Sequence, residues 1–138
     1  MFWEALRLCP PGWVFVREVA ADYELGEFVI PRGAAVMVSP LVTHRDARYW
    51  PDPLRFDPDR WLDGAGPERP CTDLTFGGGD RICVGRHLAA MVGPLVLATI
   101  GQRWRPRSLP GERVQEVGRF NLEPKGGLRM RLERRVID

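Results

Sequence analysis

The chain has 138 residues, of which 44% are hydrophobic and 28% are charged, and its formal net charge is +2 at pH 7. This is the size and composition of one globular domain at most, with enough apolar residues to form a core. So small a net charge gives no argument for nucleic-acid binding. The longest uncharged run, 88–102, is shorter than the ~20 apolar residues that a membrane span needs.

The cysteines and histidines are few and scattered. Cys9, Cys71 and Cys83 form no Cys-x-x-Cys pair, and His44 and His87 show no ligand spacing, so we expect no zinc site. An odd, scattered set of cysteines favours a reducing compartment over a disulfide framework. We therefore expect a cytoplasmic protein.

The first predicted element is a helix over Phe2–Leu8, which the pair Pro10-Pro11 ends. Glu4 and Arg7 lie one helical turn apart and therefore share a face of this helix. Taken by itself, such a pair is a solvated surface pair that contributes a few tenths of a kcal/mol.

Short strands, turns and one short helix are predicted between residues 13 and 46. Their ranges are a strand over 13–16, a hairpin over 23–30, a type I turn over 30–33, a strand over 34–38 and a helix over 42–46. The turn prediction rests on a proline followed two residues later by a glycine.

Residues 50–61 alternate prolines with aromatic residues. Proline excludes this stretch from a helix interior or a central strand, whereas the aromatic side chains favour burial. We therefore predict an ordered, packed meander.

The most informative stretch is 76–85, with the sequence Phe-Gly-Gly-Gly-Asp-Arg-Ile-Cys-Val-Gly. It places Cys83 just before a predicted helix, where the helix dipole favours a thiolate, and Arg81 adds a positive charge. The glycines keep side chains away from the sulfur, and the Phe76 ring can cover a flat ligand. This pattern predicts a metal bound through one thiolate under a planar organic cofactor. The alternative is an ordinary buried free cysteine.

Other glycine-rich sites do not fit this stretch. A dinucleotide loop that starts at Gly77 needs a glycine at its sixth place, which is Ile82, and the chain has no Gly-Lys-Ser/Thr triplet. After the cysteine, a helix is predicted over Arg86–Trp104, with Gly93-Pro94 as a kink or local break. Residues 114–136 are predicted to form strands around a turn at 124–127.

The pattern Phe-x-x-Gly-x-Arg-x-Cys-x-Gly in residues 76–85 resembles the haem-binding loop of the cytochrome P450 family, and every fixed position is met. The resemblance extends over essentially the whole chain but covers only the C-terminal part of the family's fold. It implies an α+β architecture with a short helix, β-hairpins, a proline-rich meander, a cysteine loop, a long helix and a C-terminal hairpin. Residues 1–138 would then be a partial cytochrome P450 domain.

The resemblance also implies a set of residues that bind haem b. These positions are Cys83, Phe76, Gly79, Arg81, Gly85 and Arg17. Cys83 would be the axial thiolate ligand of the iron, whose electron donation favours O–O cleavage. Arg81 and Arg17 would bind the haem propionates, although Arg17 alone could equally be a surface charge at a strand end. Phe76 would pack beside the sulfur, the two glycines would allow a close turn and a close helix approach, and no catalytic side chain is assigned.

Outside the loop, Glu4-x-x-Arg7 resembles the family's Glu-x-x-Arg helix, in which both residues are buried and structural. Their expected third partner is Arg55, in the sequence Pro-Leu-Arg-Phe. His44 would be a structural hydrogen-bonding group. Residues 13–16 and Phe120 would line an apolar substrate pocket.

The activity implied by the resemblance is haem-thiolate monooxygenation of a small hydrophobic organic substrate. Electrons would come from a ferredoxin or a flavoprotein reductase, with no nucleic acid and no membrane segment of this chain involved. The arginines expected on the cysteine side are Arg81, Arg86, Arg103, Arg105 and Arg107. Such a basic face would speed encounter with an acidic redox partner, and the alternative is a merely soluble surface.

The family's distal helix, with its Gly-x-Asp/Glu-Thr sequence, has no counterpart in this chain, and Met1 falls where the family has the middle of a helix. We therefore expect a truncated gene product, a mis-called start or one piece of a split protein. One hypothesis is an enzyme that needs the missing segment. The other is a non-catalytic fragment that at most binds haem or a redox protein.

Overall fold

The computed structural model of the chain describes residues 1–64 and 73–136. Helices and short antiparallel strands occur in separate groups along them, with four strands after the first helix and four after the last, which confirms the predicted α+β class. The helices are α1 (Phe2–Leu8), α2 (Pro40–Thr43) and α3 (Arg86–Arg103), and 3-10 helices cover Pro58–Gly64 and Gly79–Arg81. The strands are β1 (Phe15–Glu18), β2 (Tyr23–Leu25), β3 (Phe28–Ile30), β4 (Ala35–Val38), β5 (Trp104–Ser108), β6 (Glu116–Gly118), β7 (Leu122–Pro124) and β8 (Met130–Arg134).

The strands of the described residues pair only in two-stranded antiparallel ladders. In one ladder β1 pairs with β4, with Phe15 opposite Val38, and the β2–β3 hairpin lies between them in the chain. In the C-terminal part β6 pairs with β7, and β5 pairs with β8, with Trp104 opposite Arg134. Because isolated two-stranded ribbons are marginally stable, the ladders need contacts with other segments, such as α3 against β5 and the Arg45 guanidinium bonded to Glu116 of β6 at 2.6 Å.

The turn before β4 differs from the predicted type I turn. The Ala34 N–H donates to the Pro31 carbonyl at 3.1 Å, so the turn covers 31–34 rather than 30–33. Gly33 is its third residue and has a φ of +83°, which a type II turn requires and a type I turn excludes. The prediction was wrong because the left-handed glycine, rather than the proline, sets the register of the turn.

The long helix α3 runs without a break through Pro94, so the predicted local break is absent. Proline removes one N–H donor from the helix, and a helix of 18 residues keeps its remaining backbone bonds on either side. The helix ends at Arg103, one residue earlier than predicted, because Trp104 is already paired in β5.

The short helix expected at 42–46 lies earlier, as α2. The Ser39 hydroxyl accepts the Val42 N–H at 3.4 Å, which caps the first turn, and Pro40 occupies the first helical position. Serine at the cap and proline directly after it are the residues that begin helices, and the prediction overlooked this pair.

A buried ion-pair network joins α1 to the meander. Glu4 and Arg7 are both fully buried and form a two-pronged pair with N–O distances of 2.8 and 2.9 Å. Glu4 also accepts the Arg60 guanidinium at 3.0 Å and the Trp61 indole N–H at 2.8 Å. The surface-pair interpretation of these residues is therefore wrong, and the buried structural pair that the resemblance implied is confirmed.

The arginine that pairs with Glu4 is Arg60 and not Arg55. Arg55 is exposed and contributes its backbone carbonyl, which accepts Arg7 at 3.2 Å. Its N–H closes a turn with the Asp52 carbonyl at 2.9 Å. Arg60 lies in the 3-10 helix that packs against α1, and this packing brings its guanidinium to the Glu4 carboxylate.

This network sets the ionisation of Glu4. Burial by itself raises the pKa of Glu4, but hydrogen bonds from Arg7, the Asp57 N–H and Trp61, together with the charge of Arg7, lower it from 4.5 to about 2. Because the pKa in the folded state lies below the unfolded value, this stabilisation is complete above about pH 4.5. It is lost as the pH falls toward 2.

None of the residues of the helix α3 is fully buried in the described chain. Leu88 and Leu95 are 62% and 61% exposed, and the neighbouring Met91 is 59% exposed. A helix with apolar residues around most of its circumference is normally buried in a larger protein. None of the helices in residues 1–64 and 73–136 is long and apolar enough to cross a membrane.

Close contact between α3 and α1 predicts the effect of a side chain at Gly93. A Cβ added there would lie 2.1 Å from the Phe2 ring. We expect Gly93→Ala to lower the free energy of unfolding by about 1–3 kcal/mol, the usual cost of overpacking. At Gly101 in the same helix nothing lies within 4 Å of an added Cβ, so Gly101→Ala should stabilise by up to about 1 kcal/mol. Urea denaturation followed by circular dichroism measures both, and equal effects would contradict the contact.

The buried network predicts an acid-dependent loss of stability that Glu4 controls. We expect Glu4→Gln to lower the free energy of unfolding at pH 7 by about 3–5 kcal/mol, because Arg7 is left as an uncompensated buried charge. The loss of stability between pH 4.5 and 2 should then be flattened. Glu24→Gln, at an exposed position of β2, should change stability by less than about 0.5 kcal/mol. Urea titrations at a series of pH values measure the free energy of unfolding. An equal loss of this free energy between pH 4.5 and 2 in both variants would contradict control by the network.

Candidate functional site

The cysteine loop is a closed backbone turn that two glycines permit. Gly77 and Gly79 have φ values of +76° and +62°, a region that side chains other than glycine rarely adopt. The Leu74 carbonyl accepts the Gly77 N–H at 3.0 Å, and the Phe76 carbonyl accepts the Cys83 N–H at 2.8 Å. The path of the backbone therefore brings Cys83 next to Phe76 across the loop.

The loop leads directly into α3. Gly85 is the N-terminal cap of the helix, and the Arg86 N–H donates to the Cys83 carbonyl at 3.3 Å. A Cβ added at Gly85 would lie 3.7 Å from the Cys83 sulfur, so a side chain here would cover one flank of the thiol. Cys83 is a free, exposed cysteine in the described chain.

Cys83 lines a cavity of about 500 Å³ bounded by α1, β1, the cysteine loop and α3. The volume lies in the range of small-molecule and cofactor sites. The charged residues of the lining are Arg17 and Arg81. The larger apolar residues of the lining are Phe2, Leu6, Phe15, Phe76 and Val92.

The structure brings four of the six predicted site residues to this one cavity, and they are Cys83, Phe76, Arg81 and Arg17. Gly79 and Gly85 are outside the lining, where Gly79 bends the loop with its φ of +62° and Gly85 caps α3. Arg17 lies in β1, where its guanidinium also donates to the Val16 carbonyl at 2.9 Å. Cys71 lies outside the described residues.

Sequence reasoning missed the part of the cavity that α1 and α3 contribute. Phe2 and Leu6 are four residues apart on α1 and line the cavity together, and Gly93 lines it from α3. The spacing of Phe2 and Leu6 was an available signal, since residues at i and i+4 share a helix face. The glycine inside an apolar helix was another, because such a glycine usually marks a close approach.

The residues expected to line a substrate pocket, 13–16 and Phe120, do not all lie at one cavity in the structure. Phe15 lines the cavity. Trp13 instead donates its indole N–H to the Arg119 carbonyl at 3.0 Å, and its ring lies 2.8 Å from where a Cβ of Gly118 would be. Phe120 is 97% exposed.

The arginines expected on the cysteine side are divided between the two ends of α3. Arg81 and Arg86 lie at the cysteine end. Since α3 has 18 residues and rises 1.5 Å per residue, Arg103 is about 26 Å away at the other end, and Arg105 and Arg107 follow it in β5. Arg81 and Arg86 are therefore the two of the five that lie near Cys83, and a basic face that includes all five arginines stays a prediction.

Comparison with known proteins gives the family of the chain. A sequence model described as Cytochrome P450 matches residues 1–127. The chain belongs to the cytochrome P450 family. It is 42% identical over 135 residues to cyclooctatin synthase of Streptomyces melanosporofaciens, which covers 94% of this chain and 28% of that protein. It is 36% identical over 134 residues to pentalenene oxygenase of Streptomyces avermitilis, which covers 96% of this chain and 30% of that protein.

Solved structures agree with the sequence comparison. A retinoic acid-bound cyanobacterial CYP120A1 superposes with a TM-score of 0.88 at 33% identity, over 96% of this chain and 31% of the other. A six-coordinated cytochrome P450 from Thermus thermophilus gives a TM-score of 0.79 at 38% identity, over 94% and 34% of the two chains. The architecture is therefore a fragment of the P450 fold. The chain spans about three tenths of the length of the curated relatives it matches.

The cytochrome P450 family implies a haem cofactor, and the residues of the cavity fit one. A single thiol, two guanidinium groups and aromatic walls match a planar apolar ring that carries a metal and an anionic edge. The Thr75 residue belongs to the lining, and its buried hydroxyl has no hydrogen-bond partner among the residues that the structure describes, as expected where a further group is to fill the space. Within the described residues no three His, Cys, Asp or Glu side chains converge on a metal site.

Proposed function

We propose that this chain is the haem-binding C-terminal part of a monooxygenase. The reaction would insert one oxygen atom of dioxygen into a small hydrophobic organic substrate. The observation that carries the proposal is that Cys83, Arg81 and Arg17 line one apolar cavity of about 500 Å³. The names of relatives support the reaction class, since they include cyclooctat-9-en-7-ol 5-monooxygenase and pentalenene oxygenase. Residues 1–138 would then form a partial P450 domain.

The protein's part in this chemistry is to hold and orient the cofactor. When bound, haem b supplies dioxygen activation, with the second oxygen atom leaving as water. Cys83 would hold the iron as a thiolate, and Arg81 and Arg17 would bind the two propionates through charge-assisted hydrogen bonds. Phe76 would pack beside the sulfur.

The glycines of the site act on the position of the thiol. Gly79 takes a left-handed backbone conformation that bends the loop back toward Cys83. Gly85 leaves the flank of the sulfur without a side chain, so that a flat ligand can approach it. A substrate would meet the apolar walls of Phe2, Leu6 and Phe15, which favours a hydrophobic molecule.

The redox partner we propose is an acidic ferredoxin or flavoprotein that docks at the cysteine end of α3. Arg81 and Arg86 are both exposed there. Their charges would chiefly raise the rate of encounter with an acidic surface. The scattered cysteines support a reducing, cytoplasmic location.

The thiolate assignment predicts a spectroscopic change on mutation of Cys83. The purified chain with added haem, reduced and exposed to carbon monoxide, should give the red-shifted Soret band of thiolate-bound haem. Cys83→Ser should abolish this band because the thiolate is the donor that shifts it. Cys9→Ser removes a cysteine whose thiol lies 3.4 Å from Glu116, away from the cavity, and should leave the band unchanged.

Two outcomes of this experiment would contradict the assignment. A band retained in Cys83→Ser would place the ligand elsewhere. Absence of any haem binding by the unsubstituted chain would favour the second hypothesis, a non-catalytic fragment.

The arginine assignment predicts weaker haem binding without loss of the thiolate band. Arg17→Ala and Arg81→Ala should each weaken haem binding by about 10- to 100-fold, the usual effect of losing a hydrogen bond to a charged group. Arg113→Ala, at an exposed position away from the cavity, should leave it unchanged. Absorbance titration with haem measures all three. Equal affinities for the four proteins would show that neither cavity arginine binds the propionates.

A further inference from the structure

A fully buried imidazole joins α1, α2 and the segment that leads into the cysteine loop. His44 directly follows α2 and has no exposed surface. Its Nδ1 lies 3.1 Å from the Arg7 carbonyl of α1, and its Nε2 lies 2.9 Å from the Leu74 N–H. The His44 carbonyl accepts the Arg7 guanidinium at 2.6 Å, so the residue is held at its backbone as well.

The partners of the ring determine its tautomer. A backbone carbonyl can only accept and a backbone N–H can only donate, so Nδ1 must carry the proton and Nε2 must be bare. Only the neutral imidazole with a proton on Nδ1 satisfies both contacts. The imidazolium would carry a second proton on Nε2, facing the Leu74 N–H, and the Leu74 donor would lose its acceptor.

Leu74 is linked to the cysteine through a short series of backbone hydrogen bonds. Its carbonyl accepts the Gly77 N–H at 3.0 Å, and the carbonyl of Phe76, two residues after Leu74, accepts the Cys83 N–H at 2.8 Å. The Phe76 ring packs edge-on against Trp3 of α1 at 5.9 Å between centroids. The position of Leu74 therefore sets the position of residues 74–77 of the loop. Cys83 is held in turn, because its N–H is bonded to the Phe76 carbonyl.

We propose that neutral His44 is the positioning residue of the cysteine loop, and that its protonation releases the loop from α1. The His44 ring would act through Leu74 and Phe76 on the placement of Cys83, without touching a ligand of the cavity. We call the two hydrogen bonds of the His44 ring, to the Arg7 carbonyl and the Leu74 N–H, the latch. The role of the latch in haem binding rests on the proposed function, whereas the latch itself does not.

The groups around the ring favour the neutral form at neutral pH. Burial is the main cause that lowers the pKa of His44 below its ordinary 6.5, and the nearby Arg7 guanidinium adds to it. Asp73, whose carboxylate lies 3.8 Å from Nε2, opposes this shift. On the α1 side Glu4 neutralises Arg7, and on the meander side the uncharged Trp50 ring packs against the imidazole at 5.8 Å.

The sign of the pH dependence follows from this environment. Because the pKa of His44 in the folded state is below its unfolded value, the stabilisation is fully present above about pH 6.5 and is lost as the pH falls below it. In acid the Nε2 proton would be drawn to the Asp73 carboxylate, the nearest acceptor of opposite charge, and away from Leu74. The latch therefore opens on acidification and closes at neutral pH.

Two substitutions separate a positioning role from simple core filling. His44→Gln keeps an acceptor for the Leu74 N–H and does not titrate. His44→Phe keeps the aromatic packing against Trp50 and removes both hydrogen bonds of the ring.

The first measurement is amide hydrogen exchange of Leu74 by NMR in the full chain without cofactor. Above pH 6.5 the Leu74 amide should be protected at least about tenfold relative to its intrinsic rate, because its N–H is bonded to the fully buried His44 ring. The protection should fall as the pH is lowered below 6.5 in the unsubstituted chain and remain in His44→Gln. In His44→Phe it should be lost at every pH. The nitrogen shifts of the ring should report a proton on Nδ1 alone at neutral pH.

The outcomes separate this proposal from the proposed function. An unprotected Leu74 amide in the unsubstituted chain, or equal acid dependence in the unsubstituted chain and His44→Gln, would overturn the positioning role. If His44→Phe does not fold, the comparison of the unsubstituted chain with His44→Gln still tests the proposal. Protection that follows His44 in a chain that binds no haem would support the latch and reject the cofactor assignment.

The second measurement is the pH at which haem is released, followed by loss of the thiolate band. Release on acidification below pH 6.5 should be shifted to lower pH in His44→Gln, where the latch does not titrate. Identical release curves in the two proteins would show that the latch has no effect on the haem site.

Discussion

The guanidinium of Arg7 is the group on which the arrangement of the N-terminal part depends. It binds the Glu4 carboxylate and three backbone carbonyls, which belong to His44, Pro53 and Arg55. A buried charge that lost any of these partners would be left partly unsatisfied, at a cost of several kcal/mol. The end of α2, the meander and α1 are therefore held in one relative position, and this holds although few apolar side chains of the described residues are fully buried.

The helix α1 transmits this constraint to the cysteine cavity. A helix of seven residues is too short to be stable by itself, so it exists because both of its faces are in contact with other segments. Glu4 and Arg7 occupy the network face, and Phe2 and Leu6 line the cavity. At its C-terminal end, the Arg7 carbonyl also receives the His44 ring, which holds the loop. One short helix thus joins the charged network, the latch and the candidate haem site.

The helix α3, in contrast to α1, is largely exposed. Its apolar side chains are exposed in the described chain, and the segment corresponds to about three tenths of the length of related cytochromes P450. Its N-terminal half is nevertheless held in place, because the cysteine loop leads directly into it and Gly93 contacts Phe2 of α1. The site therefore depends on local packing near Cys83, and the remainder of α3 offers an apolar surface of the kind that larger proteins bury.

Local patterns in the sequence determined the cysteine loop, the bounds of α1, the α+β class and the family, because glycine, proline and a fixed motif restrict the backbone within a few residues. The same patterns could not decide that Arg60 rather than Arg55 reaches Glu4, or that Arg17 joins the cavity of Cys83. The resemblance indicated a hydrogen-bonding role for His44 but not its two partners, the Arg7 carbonyl and the Leu74 N–H. These contacts join residues tens of positions apart in the chain, and only the packing of α1 against the meander, β1 and the loop brings them within hydrogen-bonding distance.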